Sequence, residues 1–213
     1  MKKVLISATL LATHIASAAT PINGWYGSVF GGYAYVPNNI SNTQLGLTRS
    51  NASYQSGFDA GGSFGFKSNP MRYEGELTYI DAKIDHFLVN NINQTGTTGY
   101  TNAVLAMANI YYDFPEIVCA IQPFLGVGLG YAWVNGKLYS TGPAAGGTQF
   151  TGSNGLFAYQ ATAGLTYNFS ESYALNLGYR YVATERADQL GKSFQAHLGN
   201  IGAIYRFDGA RYK

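Results

Sequence analysis

The sequence predicts an all-β protein, an eight-stranded antiparallel up-and-down transmembrane β-barrel. Apolar and polar residues alternate with period two in eight long runs, the links between runs are alternately short and long, and the charges within the runs share one face. Alternation with period two indicates strands whose two faces meet different surroundings. A barrel in lipid accounts for all three features together.

The N-terminus has the pattern of a secretory signal peptide. Lys2 and Lys3 precede an apolar run over 4–15, and Ala16-Ser17-Ala18 supplies small residues for cleavage. The apolar run is shorter than the roughly 20 residues of a spanning helix. We therefore expect a signal peptide over residues 1–18, with cleavage after Ala18 or alternatively after Ala19, and an outer-membrane β-barrel domain over residues 19–213.

Charge and cysteine content exclude several classes of protein. The formal charge of +2 comes from 13 Lys+Arg and 11 Asp+Glu, so loss of Lys2 and Lys3 leaves equal numbers of each sign. A neutral mature chain does not indicate nucleic-acid binding. One cysteine, Cys119, cannot form an internal disulfide or a cysteine-based zinc site, and its role stays open.

The eight runs are long enough to cross a bilayer. Each has about ten residues or more, which is the length of a tilted membrane strand. Links over 68–70, 115–121 and 170–172 are short, whereas those over 37–56, 86–100, 138–155 and 184–192 are longer and polar. An even strand count with short periplasmic turns places both termini on the periplasmic side. The expected runs are 24–36, 57–68, 71–85, 101–114, 122–137, 156–169, 173–183 and 193–207.

The charges in the membrane-spanning part are expected inside the barrel. Arg or Lys on the lipid face near the midplane costs about 2–4 kcal/mol. A soluble β-sandwich also alternates, but its dry core would not tolerate so many ions. We expect Arg180 to pair with Glu74 or Glu76 across the lumen. The predicted lumen charge network is Asp59, Lys67, Arg72, Glu74, Glu76, Asp113, Arg180 and Arg206.

Aromatic residues gather at both ends of the apolar faces, where amphipathic rings favour the membrane interfaces. The predicted periplasmic girdle is Trp25, Tyr73, Tyr112, Phe114, Tyr167, Phe169, Tyr173, Tyr205 and Phe207. The predicted outer girdle is Tyr33, Tyr35, Tyr79, Tyr131, Trp133, Tyr159 and Tyr181. His197 falls in the same outward phase near the outer boundary, and we interpret it as interfacial.

Inward glycines on the fifth run are expected to leave room for long side chains in a narrow lumen. They are Gly126, Gly128 and Gly130. The same stretch is not a nucleotide-binding loop, because Tyr131 stands where the third glycine of that fingerprint is needed and no crossover helix follows.

Several short motifs resemble the small outer-membrane β-barrel domain family, which includes opacity-type surface antigens and OmpA/OmpX-like barrels of Gram-negative bacteria. The motifs are Gly24-Trp25-Tyr26-Gly27, Gly32-Tyr33-Ala34-Tyr35, residues 109–114, Gly130-Tyr131-Ala132-Trp133, Gly178-Tyr179-Arg180-Tyr181 and Ile204-Tyr205-Arg206-Phe207. The resemblance implies an outer-membrane location, contact with lipid and lipopolysaccharide, and recognition of the last strand by the barrel-assembly machinery. Phe207 is followed here by the tail Asp208–Lys213, whose role stays open.

Function is expected to lie in the long loops. They are polar with few charges, which favours a structural or adhesin-like surface protein with an extracellular or host-surface ligand. A small pore is the alternative, although the interior charges together with Tyr26, Phe30 and Tyr111 should fill the narrow lumen of an eight-stranded barrel. A lipid hydrolase using Asp81, Asp85 and His86 ranks third, because no companion serine stands in a recognisable setting. We expect no enzyme activity, catalytic residue, metal or cofactor, and no nucleic-acid partner.

Overall fold

A computed structural model of the chain describes residues 23–37, 43–45, 48–54, 57–89, 92–93, 98–117, 120–140, 148–186 and 193–207. These residues form strands and no helix long and apolar enough to cross a membrane. The strands are Gly24–Tyr35 (β1), Thr43–Leu45 (β2), Thr48–Tyr54 (β3), Gly57–Ser68 (β4), Met71–Val89 (β5), Ile92–Asn93 (β6), Thr98–Asp113 (β7), Ile121–Ser140 (β8), Thr148–Asn168 (β9), Tyr173–Arg186 (β10) and Ser193–Arg206 (β11).

Eight of these strands close into an antiparallel barrel, as the sequence predicts. The neighbours follow the order β1, β4, β5, β7, β8, β9, β10 and β11, and β1 pairs with both β4 and β11. Tyr26 pairs with Arg206 on one side and with Gly65 on the other. Closure satisfies the backbone hydrogen bonds of both edge strands, which a membrane-spanning sheet requires.

The short links lie at one end of the barrel, which we call the turn end. The Pro70 carbonyl accepts a hydrogen bond from the Asp113 amide at 2.8 Å, and the Ser170 hydroxyl accepts one from the Tyr173 amide at 2.9 Å. The link after β7 is held by the Phe114 amide, which donates to the Pro123 carbonyl at 2.9 Å. Cys119 lies outside the described residues of that link.

At the opposite end, which we call the loop end, several segments expected to be polar loops continue as strands. The β8–β9 ribbon reaches Ser140 opposite Thr148, and β5 continues to Val89. The strands β2 and β3 fall within the expected loop over 37–56, and β3 pairs with β5. The expected bounds of these long links were too wide, because polar composition does not reveal that their ends pair, β8 with β9 and β3 with β5.

Candidate functional site: a filled lumen and a raised rim

The outer surface of the barrel is an apolar band between two aromatic rings. Its middle carries well-exposed aliphatic side chains, including Val29, Leu77, Val127 and Ile201 at 62–66% exposure. In water, an apolar band encircling the whole molecule would far exceed the patches that soluble monomers expose. This surface therefore fits a hydrocarbon environment.

The aromatic residues of both predicted girdles point outward, toward the two edges of this band. All sixteen are exposed except Tyr181, which is half-buried against His197 with ring centroids 5.2 Å apart. His197 also contacts Tyr179, whose hydroxyl lies 2.5 Å from Nδ1, and Tyr35. His197 thus belongs to an aromatic cluster on the outer wall.

All eight charges predicted for the lumen point inward, and they form two layers. The first layer lies near the turn end and centres on Asp113. Lys67 Nζ contacts Asp113 Oδ2 at 2.6 Å, and Arg72 Nε donates to Asp113 Oδ1 at 2.8 Å. Three strands, β4, β5 and β7, are thereby joined across the interior by buried charge-assisted hydrogen bonds.

Glu74 and Arg206 complete this turn-end layer. Glu74 Oε1 accepts a hydrogen bond from Arg72 Nη1 at 3.2 Å and another from the Tyr26 hydroxyl. Arg206 instead donates to neutral oxygens, to Asn168 Oδ1 at 2.6 Å and to the Glu171 carbonyl at 3.3 Å.

The second layer lies farther along the lumen and centres on Glu76 and Arg180. Of the two partners considered for Arg180, the structure pairs it with Glu76, with Nη1 2.5 Å from Oε1. Asn109 Nδ2 donates to Glu76 Oε2 at 2.9 Å. Asp59 lies 3.7 Å from Arg180 Nη2 and accepts a hydrogen bond from Asn200.

A cavity of about 40 Å³ separates the two charged layers, lined among others by Arg72, Glu76, Tyr111 and Arg180. Buried polar atoms without a protein partner include Arg72 Nη2 and Arg180 Nε. A cavity of this size has room for water, which needs two to four polar partners. The charged part of the lumen therefore suits hydration.

From the level of the second layer toward the loop end, the lumen is packed with a set of apolar side chains that sequence reasoning missed, and three of them, Ile80, Met107 and Leu198, pair directly with Asp59, Glu76 and Arg180. We call it the apolar collar. Every member is 5% exposed or less: Ala34, Val36, Ile80, Ala82, Ala103, Leu105, Met107, Ala132, Val134, Ala158, Val182, Ala196 and Leu198. The available signal was the loss of alternation at the loop ends of strands, as in residues 103–108, where both phases are apolar.

The inward glycines leave room for this filling, as expected. A Cβ on Gly126 would lie 2.1 Å from Tyr111 Cδ1, and one on Gly128 would lie 1.9 Å from Asn109 Oδ1. Both distances are far below van der Waals contact. The absence of a side chain at these positions allows Tyr111 and Asn109 to lie over the neighbouring strand β8.

Of the residues considered for catalysis, Asp81 has a described side chain, whereas those of Asp85 and His86 lie outside the described set. His86 lies within β5, paired with Ser53, instead of in a loop, and its side chain is outside the described set. The described residues contain no group of three or more His, Cys, Asp or Glu side chains suited to a metal ion.

Closed strand pairing, an apolar outer band and a filled lumen define a small transmembrane β-barrel. The profile described as "Outer membrane protein beta-barrel domain" matches residues 4–207, so the chain belongs to that family of outer-membrane barrels. An "Outer membrane protein" of Gluconacetobacter diazotrophicus is 32% identical over 196 residues, which cover 85% of this chain and 52% of the relative. The chain thus spans about half the length of that curated relative.

Two solved structures share the fold. Neisserial surface protein A is 20% identical with a TM-score of 0.57, covering 86% of this chain and 97% of that one. The outer membrane protein OprG from Pseudomonas aeruginosa is 11% identical with a TM-score of 0.56, covering 89% and 100%. At these identities the likeness concerns the barrel architecture alone.

Proposed function

We propose that this protein is an adhesin-like surface barrel of the outer membrane. Its rim, by which we mean the strand extensions at the loop end (β3, β5 up to Val89, and the β8–β9 ribbon up to Ser140 and Thr148), binds ligands outside the cell, and the filled lumen holds the barrel rigid and closed. The observation that carries the proposal is the combination of a closed interior with strands that continue well past the aromatic ring at the loop end.

The rim is tallest along one wall. The outer-girdle residues Tyr79 and Trp133 are followed by ten and seven further strand residues on β5 and β8, which end at Val89 and Ser140. A strand needs only about 9–11 residues to cross the membrane, whereas β8 and β9 have 20 and 21. The excess forms a paired β-surface outside the bilayer that can present side chains to a partner.

The orientation and partners follow from this proposal. The turn end faces the periplasm, the band contacts outer-membrane lipid and lipopolysaccharide, and β11 is the strand that the assembly machinery recognises. The chain reaches the membrane after cleavage of residues 1–18. We assign the barrel no catalytic role, and lipid hydrolysis that disappears in His86→Ala would contradict that assignment.

The rim can be tested by shortening it without touching the barrel. Gly136 pairs with Gly152, so replacing residues 137–151 by a two-residue Asn-Gly turn should preserve the strands below. Cells that produce the full chain should adhere to wells coated with extracellular-matrix protein and to epithelial monolayers, and the shortened variant should lose that adherence. A second variant replaces residues 84–99, which include the β5 part of the rim, between the paired Lys83 and Tyr100, and it should lose adherence only if that side of the rim also contacts the ligand. Equal adherence by the full chain and a variant carrying both replacements would contradict the proposal.

A small pore is the second candidate, favoured by the polar cavity between the charged layers, which has room for water. It requires the apolar collar to open, because apolar constrictions exclude water and ions. Planar-bilayer recordings distinguish the two functions. The wild-type barrel should show no stable channels, and channels whose conductance changes with Arg180→Gln would favour the pore.

A further inference from the structure

An open groove crosses the apolar band on the outer wall of the barrel, and we call it the wall groove. Its volume is about 510 Å³. Two alanines on β9 form its floor, because larger side chains on β8 and β10 stand on either side of them. The floor is Ala161 and Ala163, and the sides are Leu125, Val127, Tyr179 and Tyr181.

The groove is long enough for one hydrocarbon chain. One row of paired residues along it runs from Tyr179 on β10 through Ala163, Leu125 and Tyr112 to Met71 on β5. The four steps between neighbouring strands, each about 4.8 Å, give a length of about 19 Å. Because membrane strands are tilted, this row slopes across the band. Its length exceeds half of the roughly 30 Å hydrocarbon core, which is the reach of a chain from one leaflet.

The surroundings of the groove decide what can occupy it. The side chains on its flanks are exposed on the band that faces hydrocarbon, with Leu125 at 52% and Val127 at 65% exposure. A groove in such a surface is filled by an apolar chain, because water there would find few hydrogen-bonding partners. The occupant of the wall groove is therefore an acyl chain.

Polar groups lie where the groove approaches the loop end. Tyr179 and Tyr181 both contact His197 on β11, with ring centroids 6.0 and 5.2 Å apart. The Tyr179 hydroxyl is 2.5 Å from His197 Nδ1. A hydroxyl that donates to Nδ1 leaves the proton of a neutral imidazole on Nε2, so the half-buried ring can donate this N–H to another molecule.

We propose that the wall groove binds one lipid A molecule, the lipid part of lipopolysaccharide, by one of its acyl chains. The chain lies on Ala161 and Ala163, and a phosphate of the lipid headgroup accepts a hydrogen bond from His197. An acyl chain suits the apolar length of the groove, and a phosphate suits a donor at the membrane interface. This inference rests on the orientation proposed above, in which the loop end faces outside.

The test uses synthetic lipid A and its phosphate-free analogue as probes. The full barrel in detergent is titrated with each lipid, and bound lipid is counted by native mass spectrometry. One lipid A per barrel should be retained. Lipid A should bind about tenfold more tightly than the analogue, because a hydrogen bond to a charged acceptor is stronger than one to a neutral acceptor.

Two pairs of variants separate the groove from the headgroup contact. Ala163→Leu fills the floor and should weaken binding of both lipids. Its control, Ala203→Leu, makes the same change at an exposed position of β11 that does not line the groove, and it should leave both affinities unchanged. His197→Ala should remove the preference for the phosphorylated lipid, whereas His197→Gln, which keeps an N–H donor, should retain part of it.

All these positions are on the outer wall, so each variant should still migrate faster on a gel before boiling than after. Lipid A binding by Ala163→Leu that equals the wild type overturns the groove as the site. An unchanged preference for lipid A in His197→Ala overturns the headgroup contact. Lipid binding and adherence of cells are separate measurements, so failure of this inference is distinguishable from failure of the proposed adhesin-like function.

Discussion

At the scale of single residues, most ions of the lumen have partners on other strands, although Arg72 and Glu74 pair within β5. Glu76 on β5 accepts hydrogen bonds from Asn109 on β7 and Arg180 on β10, and from Thr78 at 2.6 Å on its own strand. The Arg180 guanidinium also lies over the Phe30 ring, 4.7 Å from its centroid. One ion pair thus connects four walls of the barrel.

Removing Arg180 should destabilise the barrel substantially. Arg180→Leu leaves Glu76 and Asp59 buried with no cation, and breaking a buried ion pair costs about 3–5 kcal/mol. We expect a lower urea midpoint for unfolding from lipid vesicles. The double variant Arg180→Leu, Glu76→Leu should recover part of the loss, since it removes one of the unpaired carboxylates. An unchanged midpoint in the single variant would contradict a structural role for this pair.

The inward glycines should be intolerant of even one added carbon. Gly128→Ala places Cβ 1.9 Å from Asn109 Oδ1 and forces Asn109 away from Glu76. Overpacking of this kind costs about 1–3 kcal/mol. The matched control is Gly75→Ala, whose added Cβ meets only the Phe64 carbonyl oxygen at 4.0 Å. The urea midpoints of the two variants are compared. Equal midpoints would show that the lumen at Gly128 has room for an added methyl group.

At the scale of elements, the apolar collar and the charged layers have different structural roles. The collar residues come from seven of the eight barrel strands or their ends, so the seal belongs to no single element. The charged layers fix which strands face one another and hold cavities. We expect the collar to exclude water, because its side chains are apolar and offer no strong hydrogen-bonding group to a file of water molecules.

Making the collar polar should open the barrel to ions. Leu105 and Leu198 are 1% and 0% exposed, and the double variant Leu105→Ser, Leu198→Ser lets water enter from the cavity below. We expect stable channels in planar bilayers from this variant and none from the wild type. The control Leu177→Ser makes the same chemical change on the lipid face, at 61% exposure. If the double variant also forms no channels, the apolar collar is not the barrier to ions.

At the scale of the whole molecule, the mature protein should begin near Ala19 and behave as one barrel. Intact-mass measurement of the chain purified from outer membranes is expected to show loss of residues 1–18. The folded protein should migrate faster on a gel before boiling than after, because a closed barrel resists detergent. A retained N-terminus would contradict the predicted cleavage, and migration unaffected by boiling would contradict a stable barrel in detergent.

Much of the architecture follows from local pattern alone. Alternation with period two assigns each residue of a strand to one face, so the inward positions of Asp59, Glu76 and Arg180 are readable without coordinates. Short links such as 68–70 force consecutive strands to be antiparallel neighbours. The eight barrel strands, their order around the barrel and their two faces can therefore be read from the sequence, whereas β2, β3 and β6 cannot.

Tertiary structure decided what depends on how far each strand is shifted against its neighbour. Register chose Glu76 over Glu74 as the partner of Arg180, separated the charges into a positive and a negative layer, and brought apolar residues of distant strands together as the collar. It also extended the rim, since segments with loop-like composition became strands when a partner was present. The pattern within one strand does not reveal these features. The position of a residue along the barrel axis, relative to a residue on another strand, depends on the hydrogen-bonded pairing that closes the barrel.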